Sequence, residues 1–160
     1  MRKKPQMGLF FYRESMKIVK LDPSFFYNNN HLIEVMDSQE NPSTTKTRGY
    51  GVVMIDINNL TFGIPLRSNT KHKNCFKIKK NKSLDYTKAV LIEHISYIGD
   101  SFLISPDEYK AIQEKSHYIQ TSFEKYVEKY IENVRKENHS ALNREYRFTT
   151  LINYHKQLGL

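Results

Sequence analysis

The sequence predicts an α+β fold, with strands gathered ahead of residue 100 and one long helix in the C-terminal half. Three observations carry this expectation. Residues 50–57 and 60–66 are apolar, β-branched runs joined by Asn58-Asn59, a two-residue connection that tolerates positive φ, so they read as a hairpin. Ser105-Pro106-Asp107-Glu108 opens a helix: the serine can cap, the proline suits the first turn, and Glu108 lies three residues after the cap. Tyr109, Ile112, Ile119, Phe123, Tyr126, Val127, Tyr130, Ile131 and Val134 then recur at helical spacing, a stripe that fits the cover a small sheet needs.

The other elements follow in chain order. Residues 1–15 show no clear period and are expected to form an N-terminal extension outside the core. Met16 could itself be a translation start, and residues 16–160 read as a single domain. "MKIVKL" reads as a strand. Asp22 can cap and Pro23 suits a first helical turn, while the run Asn28 to Asn30 weakens that helix. Residues 37–49 are a loop by composition. "CFKIK", at 75–79, alternates like a strand, and "KAVLIEHISYIG" gives another strand and its exit. The long helix runs to about Lys136, as one piece or as two broken near Gln120-Thr121. "NHSALNREYRF" reads as an exposed link, and "TTLINYHKQLG" as a short closing helix with a glycine stop.

Charge narrows the function. The 160 residues carry a net +8, and residues 64–90 hold Arg67, Lys71, Lys73, Lys77, Lys79, Lys80, Lys82 and Lys88 against Asp85 alone. The first twenty residues are also basic, whereas residues 106–137 are close to neutral. A local excess of this kind is the footprint of a polyanion, because lysines that replace counterions on phosphates release them. The competing reading is a solvated lysine-rich face. No apolar run reaches the length of a membrane span, and no signal-peptide pattern opens the chain. Cys75 is the sole cysteine, so no internal disulfide or Cys-based zinc spacing exists; a reducing compartment, the cytoplasm, is expected.

The candidate site is the polar loop that follows the hairpin, "IPLRSNTKHKN". No phosphate-cradling glycine loop is present, since Gly49-x-Gly51 sits where a strand starts and reads as a bend. No paired carboxylates lie near the loop, and no Ser-His-Asp set can be located. A cationic, hydroxyl-bearing loop does suit RNA, whose 2′-OH supplies its own nucleophile. The protein then needs only to align the attack, move a proton and offset charge on the phosphorane oxygens. Ser68, Asn69 and Thr70 are donors, although such a run after a strand is also a common turn. Lys71, beside Lys73, is a candidate for the charge or proton work. His72 is a proton carrier or a bystander. His94 and His155 read as structural. Arg48 matters only if residues 46–50 lie beside 67–72, which the two outer ends of a hairpin do. Phe25, Phe26 and Tyr27 could stack on bases or pack in the core.

"RGYGVVMIDINNLTFGIPLRSNTKHKNCF", "LDYTKAVLI" and "YRFTTLINYHKQLG" resemble the endoribonuclease toxins of type III toxin–antitoxin systems, above all the TenpN branch, with ToxN, CptN and AbiQ more distant. The similarity runs from about Met16 to the end. It implies a compact, strongly twisted antiparallel sheet flanked by helices, like the MazF/Kid toxins. It also implies metal-independent, sequence-preferring cleavage of mRNA without a cofactor, leaving 2′,3′-cyclic phosphate and 5′-hydroxyl ends. The implied partner is an antitoxin RNA of short repeats, processed by the toxin and folded into pseudoknots. Toxin and RNA would alternate in a closed assembly of several copies of each, and the free toxin would arrest growth and abort phage infection. The loop serine and lysine of the family match Ser68 and Lys71, the lysine shifted by one position, and Arg67 stands where ToxN relatives have threonine. A basic residue ahead of the first central strand matches Lys46 or Arg48. An aromatic near the first helix corresponds to Phe25 or Phe26, with Tyr27 supplying the only hydroxyl there.

The expected site is therefore Lys71 and Arg48 on the phosphate, Ser68 and Thr70 as donors and His72 as proton carrier. Lys46, Arg67, Asn69, Lys73, Lys77, Lys79, Lys80, Lys82, Phe25 and Tyr27 are expected to touch RNA. The alternative is a non-catalytic RNA- or DNA-binding module with the same basic strip; a weaker reading makes the long helix an interface for a ribosome or other partner.

Overall fold

A computed structural model describes residues 15–36 and 50–160. Lys46, Arg48, the expected loop up to Gly49 and nearly all of the N-terminal extension lie outside the described residues. The architecture is α+β: a seven-stranded antiparallel sheet with helices on it, one of them long and in the C-terminal half. The strands are β1 (Ile18–Leu21), β2 (Gly51–Ile57), β3 (Leu60–Ser68), β4 (Cys75–Lys79), β5 (Lys82–Asp85), β6 (Val90–Leu91) and β7 (Ile98–Ser101). They lie in the order β4-β5-β3-β2-β1-β7, with β6 pairing on β3.

The central hairpin follows directly from its turn. Asn58 and Asn59 adopt φ of 48° and 70°, and the ladder runs from Ile57↔Leu60 to Val52↔Pro65. Alternation then divides the side chains between two cores. Val53, Ile55, Phe62 and Ile64 face the larger core with Ile112, Ile119, Phe123 and Val127. Val52 and Val19 face the smaller one with Phe25, Val90 and Tyr97. Strand β3 continues past the hairpin, and its last residues pair with β5, Leu66↔Leu84 to Ser68↔Lys82. That extension carries the polar loop to one end of the sheet. Gly51 opens β2 where a Cβ would overlap the ring of Phe102, so the bend needs a residue without one.

Helix α1 (Pro23–Asn28) is capped by Asp22, whose carboxylate accepts from Ser24 N at 2.9 Å, and it ends in the asparagine run. Helix α2 (Pro106–Glu114) has the full capping box of Ser105 and Glu108. Helix α3 (Ser116–Arg135) is the long one.

Several sequence expectations need correction. The break in the long helical region falls at Lys115, and Gln120 and Thr121 lie inside α3. Both flanking segments keep an apolar stripe, so periodicity alone did not locate the joint. The stretch read as an exposed link contains helix α4 (His139–Glu145), capped by Asn138, with Ala141 and Tyr146 buried. The closing element is a 3-10 turn, Thr150–Tyr154, followed by turns that stop at Gly159 with φ 80°. Residues 82–85 form a strand that the sequence reading did not separate, and "KAVLIEHISYIG" supplies a two-residue strand, a 3-10 turn at Ile95–Tyr97 and the start of β7.

Candidate functional site

Residues 67–74 leave the end of β3 and are clasped by the elements around them. Asn69 takes a left-handed conformation, φ 56°, and its N–H donates to Asn81 O at 3.0 Å. Thr70 is only 8% exposed: its hydroxyl accepts from Ser83 Oγ at 2.8 Å, and its carbonyl accepts from Lys77 Nζ at 3.3 Å. Thr70 thus anchors the loop and is turned away from solvent. Beyond it, Tyr86 N donates to Asn74 O, and Asn74 Nδ2 reaches Glu145 O of α4 at 3.3 Å.

The loop itself holds no acid, but the fold supplies one. Asp85, at the end of β5, is fully buried and gathers four donors. Arg67 Nη1 lies 2.6 Å from Oδ2; Thr87 N and Oγ1 bond Oδ1 at 3.0 and 2.6 Å; and His72 Nε2 lies 3.2 Å from Oδ1. Arg67 and His72 remain two-fifths exposed, so each has one edge on the carboxylate and another toward solvent. His72 Nδ1 accepts from Asn74 N at 3.2 Å, which places the ring proton on Nε2, facing Asp85. Both ring nitrogens are therefore engaged, and His72 can carry a proton only after releasing Asn74.

Ser68, Asn69 and Lys71 are exposed at the loop surface. Among the described residues no carboxylate lies within 4 Å of Lys71. The hairpin register, extended two residues, sets Tyr50 opposite Arg67. Burial pushes the Tyr50 hydroxyl well above its ordinary range, and Tyr154, Asp85 and Arg67 are close enough to act on it. Among the described residues neither buried hydroxyl, Tyr50 or Tyr154, has a hydrogen-bond partner, although the Met36 and Leu91 backbones lie near enough to oppose in part the rise that burial causes. Phe25 is 1% exposed and packs edge-on against Phe26 and Tyr97, so it is a core residue. Phe26 instead touches Tyr50, with ring centroids 4.8 Å apart, and Tyr27 is 82% exposed.

The basic strip is less bare in space than in sequence. Lys79 and Lys82 both turn to Glu108 of α2, at 2.7 and 3.7 Å. Burial works to raise the Glu108 carboxyl, but Lys79, the Ser105 backbone and Lys82 outweigh it and hold it below the usual range. Lys73 lies 3.7 Å from Glu145, and Lys88 lies 3.1 Å from Glu34. Lys71, Lys77 and Lys80 keep no carboxylate partner among the described residues. His155 Nε2 bonds Tyr130 Oη at 2.6 Å, as a structural histidine does, while His94 is exposed and edge-on to Tyr97.

Asp85 and Tyr50 were missed as site residues by sequence reasoning. One signal pointed to Asp85: it is the single acid in a run of eight bases, and a lone buried carboxylate needs such partners. Among the described residues no three His, Cys, Asp or Glu side chains group closely enough to hold a metal ion, and no helix is long and apolar enough to cross a membrane. Comparison with protein-family models, with curated proteins and with solved structures gave no match.

Proposed function

We propose that this chain is a metal-independent endoribonuclease, the toxin of a type III toxin–antitoxin pair acting in the cytoplasm. The observation that carries the reading is the loop after β3. Among the described residues it exposes Ser68, Asn69 and a Lys71 with no carboxylate within 4 Å, while buried Asp85 holds Arg67 and His72. In the proposed reaction a ribose 2′-oxygen attacks the adjacent phosphorus. The bond to the 5′-oxygen breaks, the 2′-OH proton is removed, and the leaving oxygen is protonated. The products end in 2′,3′-cyclic phosphate and 5′-hydroxyl. Lys71 and the free edge of Arg67 offset charge on the phosphorane oxygens, and Ser68 and Asn69 donate to them. His72 moves a proton once its ring leaves Asn74. The substrates are mRNA and the repeat-derived antitoxin RNA. A closed assembly with the folded repeats would hold the toxin inactive, and its release would arrest growth during phage infection.

The test is single-stranded RNA in excess chelator. Fragments ending in cyclic phosphate, and an inert substrate when the cleaved position is 2′-deoxy, are the expected results. RNA that is bound but stays whole would replace this reading with that of a binding module.

A further inference from the structure

We propose that the cleft between β4, α3 and α4 is a nucleotide subsite that takes one unstacked base of single-stranded RNA together with its neighbouring phosphate. This deepens the endoribonuclease reading and rests on it for the identity of the ligand. The cleft encloses about 500 Å³, within the span of roughly 300–1,000 Å³ usual for small-ligand pockets. It begins where the loop ends, since Lys73 and Asn74 belong to both, and Tyr86 on its wall directly follows Asp85.

Its chemistry matches a nucleotide on three counts. Tyr118 of α3 is 59% exposed, with Phe76 behind it at 6.1 Å, so one aromatic face is offered for stacking on a base. Lys125 and Lys129, one turn apart on α3, have no carboxylate within 4 Å among the described residues and can meet a phosphate. Asn133 uses its amide nitrogen on Lys129 O at 2.8 Å and keeps its amide oxygen for a base edge. Among the described residues the cleft has a single carboxylate, Glu145, which Arg144 Nε and Lys73 Nζ already engage at 3.3 and 3.7 Å. An acidic peptide would be drawn by the same lysines but would leave Tyr118 and Asn133 without a role.

Cys75, partly exposed and the sole cysteine of the chain, lies on the cleft wall and reports on its occupancy. Burial raises its thiol pKa, so alkylation is followed at mildly alkaline pH. With the full chain, at least one of the four nucleoside 5′-monophosphates is expected to slow Cys75 alkylation several-fold, and inorganic phosphate to slow it far less. The double variant Lys125→Ala/Lys129→Ala is expected to lose the protection, and Lys71→Ala to keep it. Equal reactivity with and without every nucleotide overturns the inference, as does equal protection by phosphate. On RNA, Tyr118→Ala is expected to raise KM at least fivefold and relax the preference for cleavage position, with kcat little changed. All three side chains are exposed, so the variants are expected to fold. If Lys71→Ala abolishes cleavage while the cleft variants cut like the parent, the subsite alone is wrong. If the parent chain never cuts RNA, the functional reading fails, and the alkylation result still decides whether the cleft binds nucleotides.

Discussion

Asp85 shows how a single carboxylate can organise a cationic loop, and its partners do not contribute symmetrically. Arg67 is two-fifths exposed, whereas Asp85 is fully buried. Replacing Asp85 with Asn leaves a guanidinium that water can reach, and the expected loss is about 1–2 kcal/mol. Replacing Arg67 with Met leaves a buried carboxylate without its main charge partner. The expected loss is about 3 kcal/mol, the lower end for a broken buried pair because solvent screens the exposed arginine. Urea midpoints at constant m decide this; a larger loss for Asp85→Asn would overturn the ordering. Lys71 is the opposite case. Lys71→Ala is expected to change stability by less than about 0.5 kcal/mol and to slow RNA cleavage on the order of 10²- to 10³-fold. A variant that still cleaves at the parent rate removes Lys71 from the site. The loop was legible from its composition, because Ser68, Asn69 and Lys71 sit where a strand gives way to polar residues. The grip on it was not, because Asp85 pairs with a residue eighteen positions away.

At the scale of elements, the best-read features are those that a few adjacent residues specify. Both asparagines of the β2–β3 turn hold positive φ, and Asn59→Val is expected to cost about 1–2 kcal/mol, since a β-branched residue resists the left-handed region. Chemical denaturation checks this, and an unchanged midpoint would mean that the turn adopts another geometry. The capping box of α2 was equally plain, but its second role was not. Glu108 also joins α2 to β4 and β5 through Lys79 and Lys82. Its carboxyl is held below the usual value, so its contribution is present above the ordinary glutamate pKa of about 4.3 and is lost as pH falls through the lower folded value. Glu108→Gln is expected to lower stability at neutral pH and to flatten the acid limb of a stability–pH curve. An acid limb that keeps the parent slope would show that this carboxylate does not drive acid unfolding. Helix α4 escaped the sequence reading because seven residues carry too short a stripe to stand out, although Asn138 three ahead of Ala141 was a usable cap signal.

The whole molecule is held by a sheet covered on both faces, with much of the cover made of tyrosine. Burial is the leading cause that raises the hydroxyls of Tyr50, Tyr86, Tyr126, Tyr130, Tyr146 and Tyr154, those of Tyr86, Tyr130, Tyr146 and Tyr154 to about 12. An unfolded chain would ionise them near 10, so their contribution is complete below about pH 10 and drains away as pH rises toward the folded values. Tyrosinate absorbance is expected to rise in two stages, the second together with loss of circular dichroism. A single transition near pH 10 with the fold intact would contradict the packing. The charge pattern also changes character at this scale. Five of the eight bases in residues 64–90 meet a carboxylate, from Glu34, Asp85, Glu108 or Glu145. Among the described residues the positive charge without a carboxylate partner in this stretch is thereby left to Lys71, Lys77 and Lys80, and Lys125 and Lys129 add to it from a helix whose overall charge is close to neutral.

Turn chemistry, capping and hydrophobic period made the α+β class, the central hairpin and the polar loop readable in the residue order, since each acts over a few neighbouring positions. Which lysines stay unpaired, how Asp85 grips the loop and where a cleft opens beside it were settled by folding. Ion pairing and burial depend on distance through space, and the chain brings together partners such as Lys88 and Glu34 that lie 54 residues apart.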